Sequence, residues 1–257
     1  MKPFKLTLAS LIFLAVGLGA NVWAGQFGTP QPIGENDNWS IGVGYFFNQE
    51  KVGIDDTDYT LQQNLTYLQA ARSFGNFEVY LRGGSSDMLV EDYFKSDSPA
   101  LITSKNDYDS DMIPFCTAGL KGFFPVDDIL GVGGFIQGTY FLGKFKDDMT
   151  GSDASIPFFA STEIKNMYNI SLGWALQAKL PYSIKVYAGP YLYWTRADVT
   201  DTFTAPSPSA SYDASVKNKN NFGAYAGASF SVKGLTVNIE GQFSERASGG
   251  ALLSYSF

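Results

Sequence analysis

From Trp39 onwards, apolar and polar residues alternate along the chain with a period of two. Successive side chains of a β-strand point to opposite faces, so this pattern predicts strands with one apolar face. Small and polar residues take the other face of the first run. The bulky residues of that run share one parity: Trp39, Ile41, Val43, Tyr45 and Phe47.

The same pattern recurs and predicts ten strands between residue 39 and the C-terminus. Short turns that alternate with longer loops are typical of antiparallel up-and-down barrels in bacterial outer membranes. Eight strands would require two good candidates to merge, and twelve would require a further pair within 84–111. Tight turns are expected near positions 75, 127, 182 and 234, and long polar loops at 84–111, 143–162 and 196–221.

Two kinds of barrel fit such a pattern. A soluble, lipocalin-like barrel would place its apolar residues inside, and a membrane barrel would place them against lipid. The polar parity is rich in Gly, Ser, Thr, Asn and Gln, which would make a poor dry core. Trp39, Trp174 and Trp194 lie on the apolar parity, as expected of residues at a membrane interface. The sequence therefore favours an all-β transmembrane barrel.

The N-terminus has the features of a secretory signal peptide. Lys2 and Lys5 precede an apolar run at 6–20, and cleavage is expected after Ala24. An uncleaved membrane anchor is the alternative, although the run is short for a spanning helix of about 20 residues. The predicted organisation is a signal peptide at 1–24, a flexible periplasmic lead-in at 25–38 and an outer-membrane barrel at 39–257.

Composition and charge narrow the range of partners. The chain is 16% aromatic and contains 27 glycines, as expected of an all-β protein with aromatic girdles. Without residues 1–24, the 18 basic residues fall to 16 against 25 acidic ones, a net charge of −9. Nucleic acid is therefore not an expected partner, because phosphate binding requires clustered Lys and Arg. The single Cys116 cannot form an internal disulfide and is expected to serve as a small hydrophobe.

The absence of histidine limits the chemistry available to this chain. A Ser-His-Asp triad and a histidine-ligated zinc site are both excluded. Asp107, Asp109 and Asp111 alternate as at the start of a calcium loop, but Met112 stands where that loop needs glycine. The sequence therefore predicts a protein that is not an enzyme, with no catalytic residue, no cofactor and no metal site.

Charged residues on the polar parity are candidate lumen charges. Arg82 and Glu240 each lie five residues into a predicted strand, so they are expected at similar depth. One hypothesis is a charged constriction that selects small solutes. The favoured hypothesis is a structural salt bridge that plugs a narrow barrel, since charges kept away from lipid need partners. The complete candidate set is Glu78, Arg82, Lys165, Lys179 and Glu240.

The chain ends in alternating residues that place Leu253, Tyr255 and Phe257 on one face. This ending resembles the C-terminal assembly signal of bacterial outer-membrane β-barrels. Over nearly its whole length after residue 24, the chain resembles a small porin-like barrel of that class, with no subfamily identified. The resemblance implies export to the outer membrane of a Gram-negative bacterium. It also implies contact with membrane lipid and lipopolysaccharide, and with the barrel-assembly machinery through the C-terminal strand.

The expected function is that of a non-enzymatic barrel, either a narrow passive pore for ions or small solutes or a structural barrel. A ten-stranded barrel encloses much less space than the 16–18 strands of general porins. The alternative is a surface recognition protein, an adhesin or receptor, that uses the predicted long loops. The sequence names no solute, ligand or oligomeric state.

Overall fold

A computed structural model describes residues 27–32, 38–55, 57–95, 101–153, 156–204 and 210–257. The predicted signal peptide at 1–24 and parts of the predicted lead-in, 25–26 and 33–37, lie outside the described residues. Within the described ranges, the chain has no helix that is long and apolar enough to cross a membrane.

The described residues form one antiparallel sheet of thirteen strands. A 3-10 turn at Pro181–Ser183 joins two of the longest strands. The strands are β1 (Trp39–Ile54), β2 (Thr57–Phe74), β3 (Phe77–Glu91), β4 (Leu101–Thr103), β5 (Tyr108–Pro125), β6 (Leu130–Phe141), β7 (Phe145–Asp153), β8 (Ile156–Leu180), β9 (Ile184–Thr204), β10 (Ala210–Asn218), β11 (Phe222–Val232), β12 (Leu235–Phe243) and β13 (Ala247–Ser256).

The sheet closes on itself, because β1 pairs with β2 on one side and with β13 on the other. The pairing order round the ring is β1, β2, β3, β5, β6, β8, β9, β11, β12 and β13. The remaining strands add to one end of this ring. Strand β7 pairs with β8, β4 pairs with β7, and β10 pairs with both β9 and β1.

The count of thirteen strands corrects the sequence-based prediction of ten. Strands β4, β7 and β10 form within the segments 84–111, 143–162 and 196–221, which were predicted to be loops. Their alternation is weak in the sequence because the inward residues are few and widely spaced. Met149 of β7 and Val216 of β10 are buried, whereas most of their neighbours are polar and exposed.

The outer surface of the ring carries an apolar band. On β1, the exposed residues of the band are Trp39, Ile41, Val43 and Tyr45. We call the end of the ring with the tight turns the short-turn end. An apolar band between two aromatic girdles is the outer surface that a barrel presents to a bilayer. Exposed aromatic residues lie at the short-turn edge (Trp39, Phe74, Phe77, Phe124, Tyr255, Phe257) and at the opposite edge (Tyr45, Tyr140, Trp194, Phe222, Phe243) of the band.

Beyond the band, the apolar residues lie on the inner face of the strands and the polar residues lie on the outer face. Ile41 and Val43 of β1 point outward, whereas Val52 and Ile54, further along the same strand and of opposite parity, are buried inside. Met88 and Val90 at the far end of β3 are likewise buried. We call this part of the molecule, including β4, β7 and β10, the extension. Its interior contains an apolar cluster, the extension core, which includes Val52, Met88, Tyr108, Phe145, Met149, Ile164, Val199 and Val216.

Candidate functional site

Four charged side chains point into the ring near the short-turn end and define the lumen cluster. Glu78 and Arg82 come from β3, Lys121 comes from β5, and Glu240 comes from β12. They are 0%, 5%, 1% and 1% exposed, respectively. Side chains that lined a water-filled constriction would be accessible to solvent, so the lumen is filled at this level. The two positive and two negative charges balance.

Glu78 and Lys121 form an ion pair within the lumen cluster. The two residues are direct cross-strand partners in the β3–β5 register. Lys121 Nζ lies 3.4 Å from Glu78 Oε1 and 5.2 Å from the centre of the Tyr80 ring. A buried cation retained by both a carboxylate and an aromatic face has its charge compensated locally.

Arg82 is held between two aromatic rings and an amide. Its guanidinium lies 4.7 Å from the ring centres of both Tyr67 and Tyr80. Arg82 Nε donates a hydrogen bond to Gln69 Oε1 at 2.8 Å. The Tyr80 hydroxyl in turn donates to Gln137 Oε1 at 2.7 Å. These contacts fix the cation against the barrel wall.

The Glu240 carboxylate accepts four hydrogen bonds. The backbone N–H groups of Phe27 and Gly28 donate to it at 3.1 and 2.9 Å. The Tyr187 hydroxyl donates at 3.0 Å and Gln242 Nε2 at 3.1 Å. Such charge-assisted bonds compensate for the loss of hydration of a buried carboxylate.

Residues 27–32, which we call the amino-terminal segment, lie inside the lumen. Phe27 is completely buried, and its ring stacks on Phe135 with centroids 3.9 Å apart. The rings of Tyr191 and Tyr225 lie 5.1 and 5.3 Å from it. The sequence predicted a flexible lead-in at 25–38, and the structure places residues 27–32 of it in the lumen. The sequence feature that could have indicated this burial was an aromatic residue, Phe27, in a segment rich in Gly and Pro.

Polar contacts hold the rest of the segment. The Thr29 hydroxyl donates to Gln177 Oε1 at 2.5 Å, and Gln177 Nε2 donates to Gln31 Oε1 at 3.0 Å. Gln177 lies three residues from the end of β8, at the short-turn end, whereas Phe135, Tyr191 and Tyr225 lie deeper. The segment therefore runs from the short-turn end towards the middle of the barrel, and Phe27 is its innermost described residue.

A small cavity of about 30 Å³ lies between the amino-terminal segment and the extension core. Its lining includes the buried Glu50, whose carboxylate accepts a hydrogen bond from the Thr195 hydroxyl at 3.2 Å. Gln242, which donates to Glu240, also lines it. A volume of this size suits one or two water molecules.

Two of the five predicted lumen charges lie elsewhere. Lys165 is half-buried and donates to the Thr200 hydroxyl at 3.1 Å. A register shift between Lys165 and Tyr168, with Asn166 at φ 54°, reverses the faces of β8, so Ile164 points inward instead. Lys179 is exposed at the short-turn end, where the last residues of β8 reach water. Glu78, Arg82 and Glu240 are placed in the lumen.

Sequence reasoning missed Lys121. The stretch 112–124 carries apolar residues on both faces, so alternation alone could not assign which of its residues point into the barrel. The pairing with β3 settles the question, because it sets Lys121 opposite the inward-pointing Glu78. Cys116 lies on the outer face of the same strand and is exposed.

The three C-terminal residues assigned to an assembly signal all point outward. Leu253 and Tyr255 lie on β13, which pairs with β1 and β12 and so closes the ring. Phe257 follows β13, and its backbone N–H donates to the carbonyl of Trp39 at 3.0 Å. The exposed face of this seam is apolar.

The chemistry of the lumen is that of a closed, hydrogen-bonded interior. Each charge of the lumen cluster is excluded from solvent, and the amino-terminal segment fills the adjoining space. Among the described residues, no group of three or more His, Cys, Asp or Glu side chains is placed to hold a metal ion. This interior holds the amino-terminal segment of the chain itself.

The fold is similar to that of solved bacterial outer-membrane barrels. It matches the outer membrane protease OmpT from Escherichia coli with a TM-score of 0.53 and 12% identity, over 91% of this chain and 99% of that chain. The translocator domain of autotransporter NalP from Neisseria meningitidis matches with a TM-score of 0.44 and 12% identity, over 87% and 90% of the respective chains. No protein-family model matches the chain, and no curated protein sequence matches it. At such low identities the likeness concerns the fold alone, and that fold is the bacterial outer-membrane β-barrel.

Proposed function

We propose that this protein is a non-enzymatic barrel of the bacterial outer membrane, with a closed lumen, that supports a rigid extracellular surface used in recognition. The observation that carries this proposal is made at the edge of the apolar band, where the apolar residues change from the outer face of the strands to the inner face. Strands that continue beyond lipid with apolar residues inside and polar residues outside form a folded water-soluble structure. The extension is such a structure.

The extension is held together by its core and by polar contacts between strands. Asp201 of β9 accepts hydrogen bonds from the Tyr93 hydroxyl, at 2.9 Å, and from the Thr162 hydroxyl, at 2.5 Å. Burial, followed by the nearby Asp201 carboxylate, raises the pKa of Tyr93, so the phenol stays protonated and keeps donating. Binding residues are most effective on a rigid scaffold, and the extension provides one.

The filled lumen favours a structural role for the barrel over a pore. A passive pore needs a continuous aqueous path, whereas the lumen cluster is excluded from solvent and every residue of the amino-terminal segment except the half-buried Gln31 is buried. The extension core supports the same conclusion, because it fills the interior at the opposite end.

Lipid and lipopolysaccharide are the proposed partners of the outer surface. Arg196 lies two residues beyond Trp194 on β9, and it is exposed. Its cross-strand neighbour Lys217 of β10 is exposed as well. Two cations just outside an aromatic girdle are well placed to bind the phosphate groups of lipopolysaccharide.

Two measurements test the proposal. In planar bilayers, the purified protein should give no stepwise conductance in defined salt solutions; stable open channels would favour the narrow pore instead. Replacing residues 143–162 with a short Gly-Ser turn should then abolish binding of bacteria to immobilised host matrix proteins.

The control is Asp128→Ser, a change in the exposed turn at the opposite end that leaves Asp127 in place. Both variants must reach the outer membrane in amounts comparable to the wild-type protein. Unchanged binding by the variant that lacks residues 143–162 would contradict a recognition role for this part of the extension.

A further inference from the structure

The pocket that holds the amino-terminal segment has the construction of a peptide-binding site. Its apolar part is formed by Phe135, Tyr191 and Tyr225, which surround the ring of Phe27 on three sides. Aromatic side chains in a fully desolvated pocket are the usual centres of binding energy in protein recognition. Here the same arrangement binds a segment of the chain itself.

The polar part of the pocket recognises the backbone and the following side chains. Glu240 accepts the consecutive N–H groups of Phe27 and Gly28. Gln177 contacts both Thr29 and Gln31 through its two amide atoms. Main-chain hydrogen bonds combined with pockets for particular side chains are a recurring mode of peptide recognition.

The pocket also selects glycine at the second position. Gly28 has a φ of +75°, which lies in the left-handed region that side chains with a Cβ rarely adopt. A Cβ there would lie 3.2 Å from Lys121 Nζ, whose ammonium is already paired with Glu78. The preferred ligand is therefore an aromatic residue followed by glycine and then by a hydroxyl side chain.

We propose that the short-turn end of the lumen is a binding site for short peptides of this sequence type, with the amino-terminal segment as its tethered ligand. The extension core fills the opposite end of the interior, so the ligand enters and leaves from the short-turn end. A tether of a few residues gives the segment an effective concentration in the millimolar range. The site is therefore occupied in the intact chain, and a free peptide must compete with this tethered copy.

Peptide binding to the full-length folded protein in detergent micelles tests this proposal. The probe is the acetylated peptide corresponding to residues 27–32, with a fluorescent label at its carboxyl end. The Phe27→Ala protein should bind the probe saturably, because its own segment no longer competes well. The wild-type protein should bind it at least about 10-fold more weakly, since its tethered segment keeps the site occupied.

Two controls establish the mode of binding. A probe with alanine in place of phenylalanine should bind the Phe27→Ala protein about 30-fold more weakly, as expected for the loss of a central aromatic contact. Adding Glu240→Gln to Phe27→Ala should also weaken probe binding, because the two backbone donors would lose a charged acceptor. The Phe222→Ala protein, which is changed on the outer face, should bind the probe as weakly as the wild-type protein does.

A second variant covers the case in which Phe27→Ala prevents folding. Gly28→Val displaces the tethered segment and leaves every aromatic residue of the pocket intact. Folding of each variant is checked by the shift in electrophoretic mobility that folded barrels show on heating. The proposal is overturned if a folded variant fails to bind the probe, or binds it no better than the wild-type protein does.

Discussion

Lys121 Nζ lies 3.4 Å from Glu78 Oε1 inside the barrel, and neither side chain is accessible to solvent. The register of β3 and β5 sets the two residues directly opposite each other. Both charges have been removed from water at considerable cost, so each depends on the other.

Replacing Lys121 alone should therefore be strongly destabilising. We expect Lys121→Met to lower the free energy of unfolding by about 3 kcal/mol, because it removes the cation that lies 3.4 Å from the buried Glu78 carboxylate. Lys121→Met combined with Glu78→Gln should cost less than the sum of the two single changes. Urea unfolding in phospholipid vesicles measures all three variants. Strict additivity would contradict the coupling inferred from the geometry.

The inward tyrosines pack against glycines of neighbouring strands, and this packing makes a second prediction. A Cβ on Gly119 would lie 2.2 Å from Cζ of Tyr80, whose ring contacts both Arg82 and Lys121. Gly119→Ala should destabilise the barrel by about 1–3 kcal/mol by displacing that ring.

Gly138 on the outer face provides the matched control. A Cβ there would meet no atom within 4 Å. Gly138→Ala should be neutral, or stabilising by about 0.5 kcal/mol, because alanine restricts the unfolded chain. Equal effects of the two substitutions in the same unfolding assay would contradict the packing described for Tyr80.

The turn between β5 and β6 makes stability depend on pH. Asp127 Oδ1 accepts hydrogen bonds from the N–H groups of Leu130 and Ile129, and these bonds hold the pKa of Asp127 below its ordinary value of 3.8. A carboxyl whose folded pKa is depressed contributes stability above its unfolded pKa and loses that contribution as pH falls through the folded value.

Asp127→Ala should therefore be less stable than wild type at pH 7, and the difference should shrink below about pH 4. Unfolding measured at both pH values tests this, and an NMR titration of the Asp127 carboxyl measures its pKa directly. A difference in stability that stays constant from pH 7 to pH 3 would show that the ionised carboxylate does not hold the turn.

The boundary between the apolar band and the extension should be visible in the effect of an added charge. Leu68 and Gln62 share the outer face of β2, but Leu68 lies in the band and Gln62 lies beyond it, beside Glu91. Leu68→Arg should cost about 2–4 kcal/mol, the range found for arginine facing the bilayer midplane. Gln62→Arg should be nearly neutral. A similar cost at both positions in vesicle unfolding would contradict this boundary.

Much of the fold follows from the sequence, because alternation is strong wherever one face meets lipid. The band residues Ile41 and Val43 and the ending at Phe257 were assigned to the outer face from parity alone. The extension was not predicted, because the apolar residues change from the outward face to the inward face within continuous strands. Residues such as Val52 and Met88 then carry the parity that had been assigned to the lumen.

The candidate site was less accessible to sequence reasoning. The sequence assigned Arg82 and Glu240 to inward faces, but their partners come from distant positions that no local pattern connects. Glu240 is satisfied by the backbone of Phe27 and Gly28, more than two hundred residues away in sequence. Lys165 changes face at a bulge, and a one-residue insertion of that kind leaves no mark in composition.

We expect the strands to leave the lipid between Tyr45 and Gln49 of β1 and to continue as a water-soluble β-structure. Spin labels at outward positions 41, 43, 45, 49, 51 and 53, in vesicles, test it through their relative accessibility to oxygen and to a water-soluble nickel reagent. We predict preferential contact with oxygen up to position 45 and preferential contact with nickel from position 49. Oxygen preference that continues to position 53 would show that β1 stays in lipid over its whole length and that the extension is not a water-soluble structure.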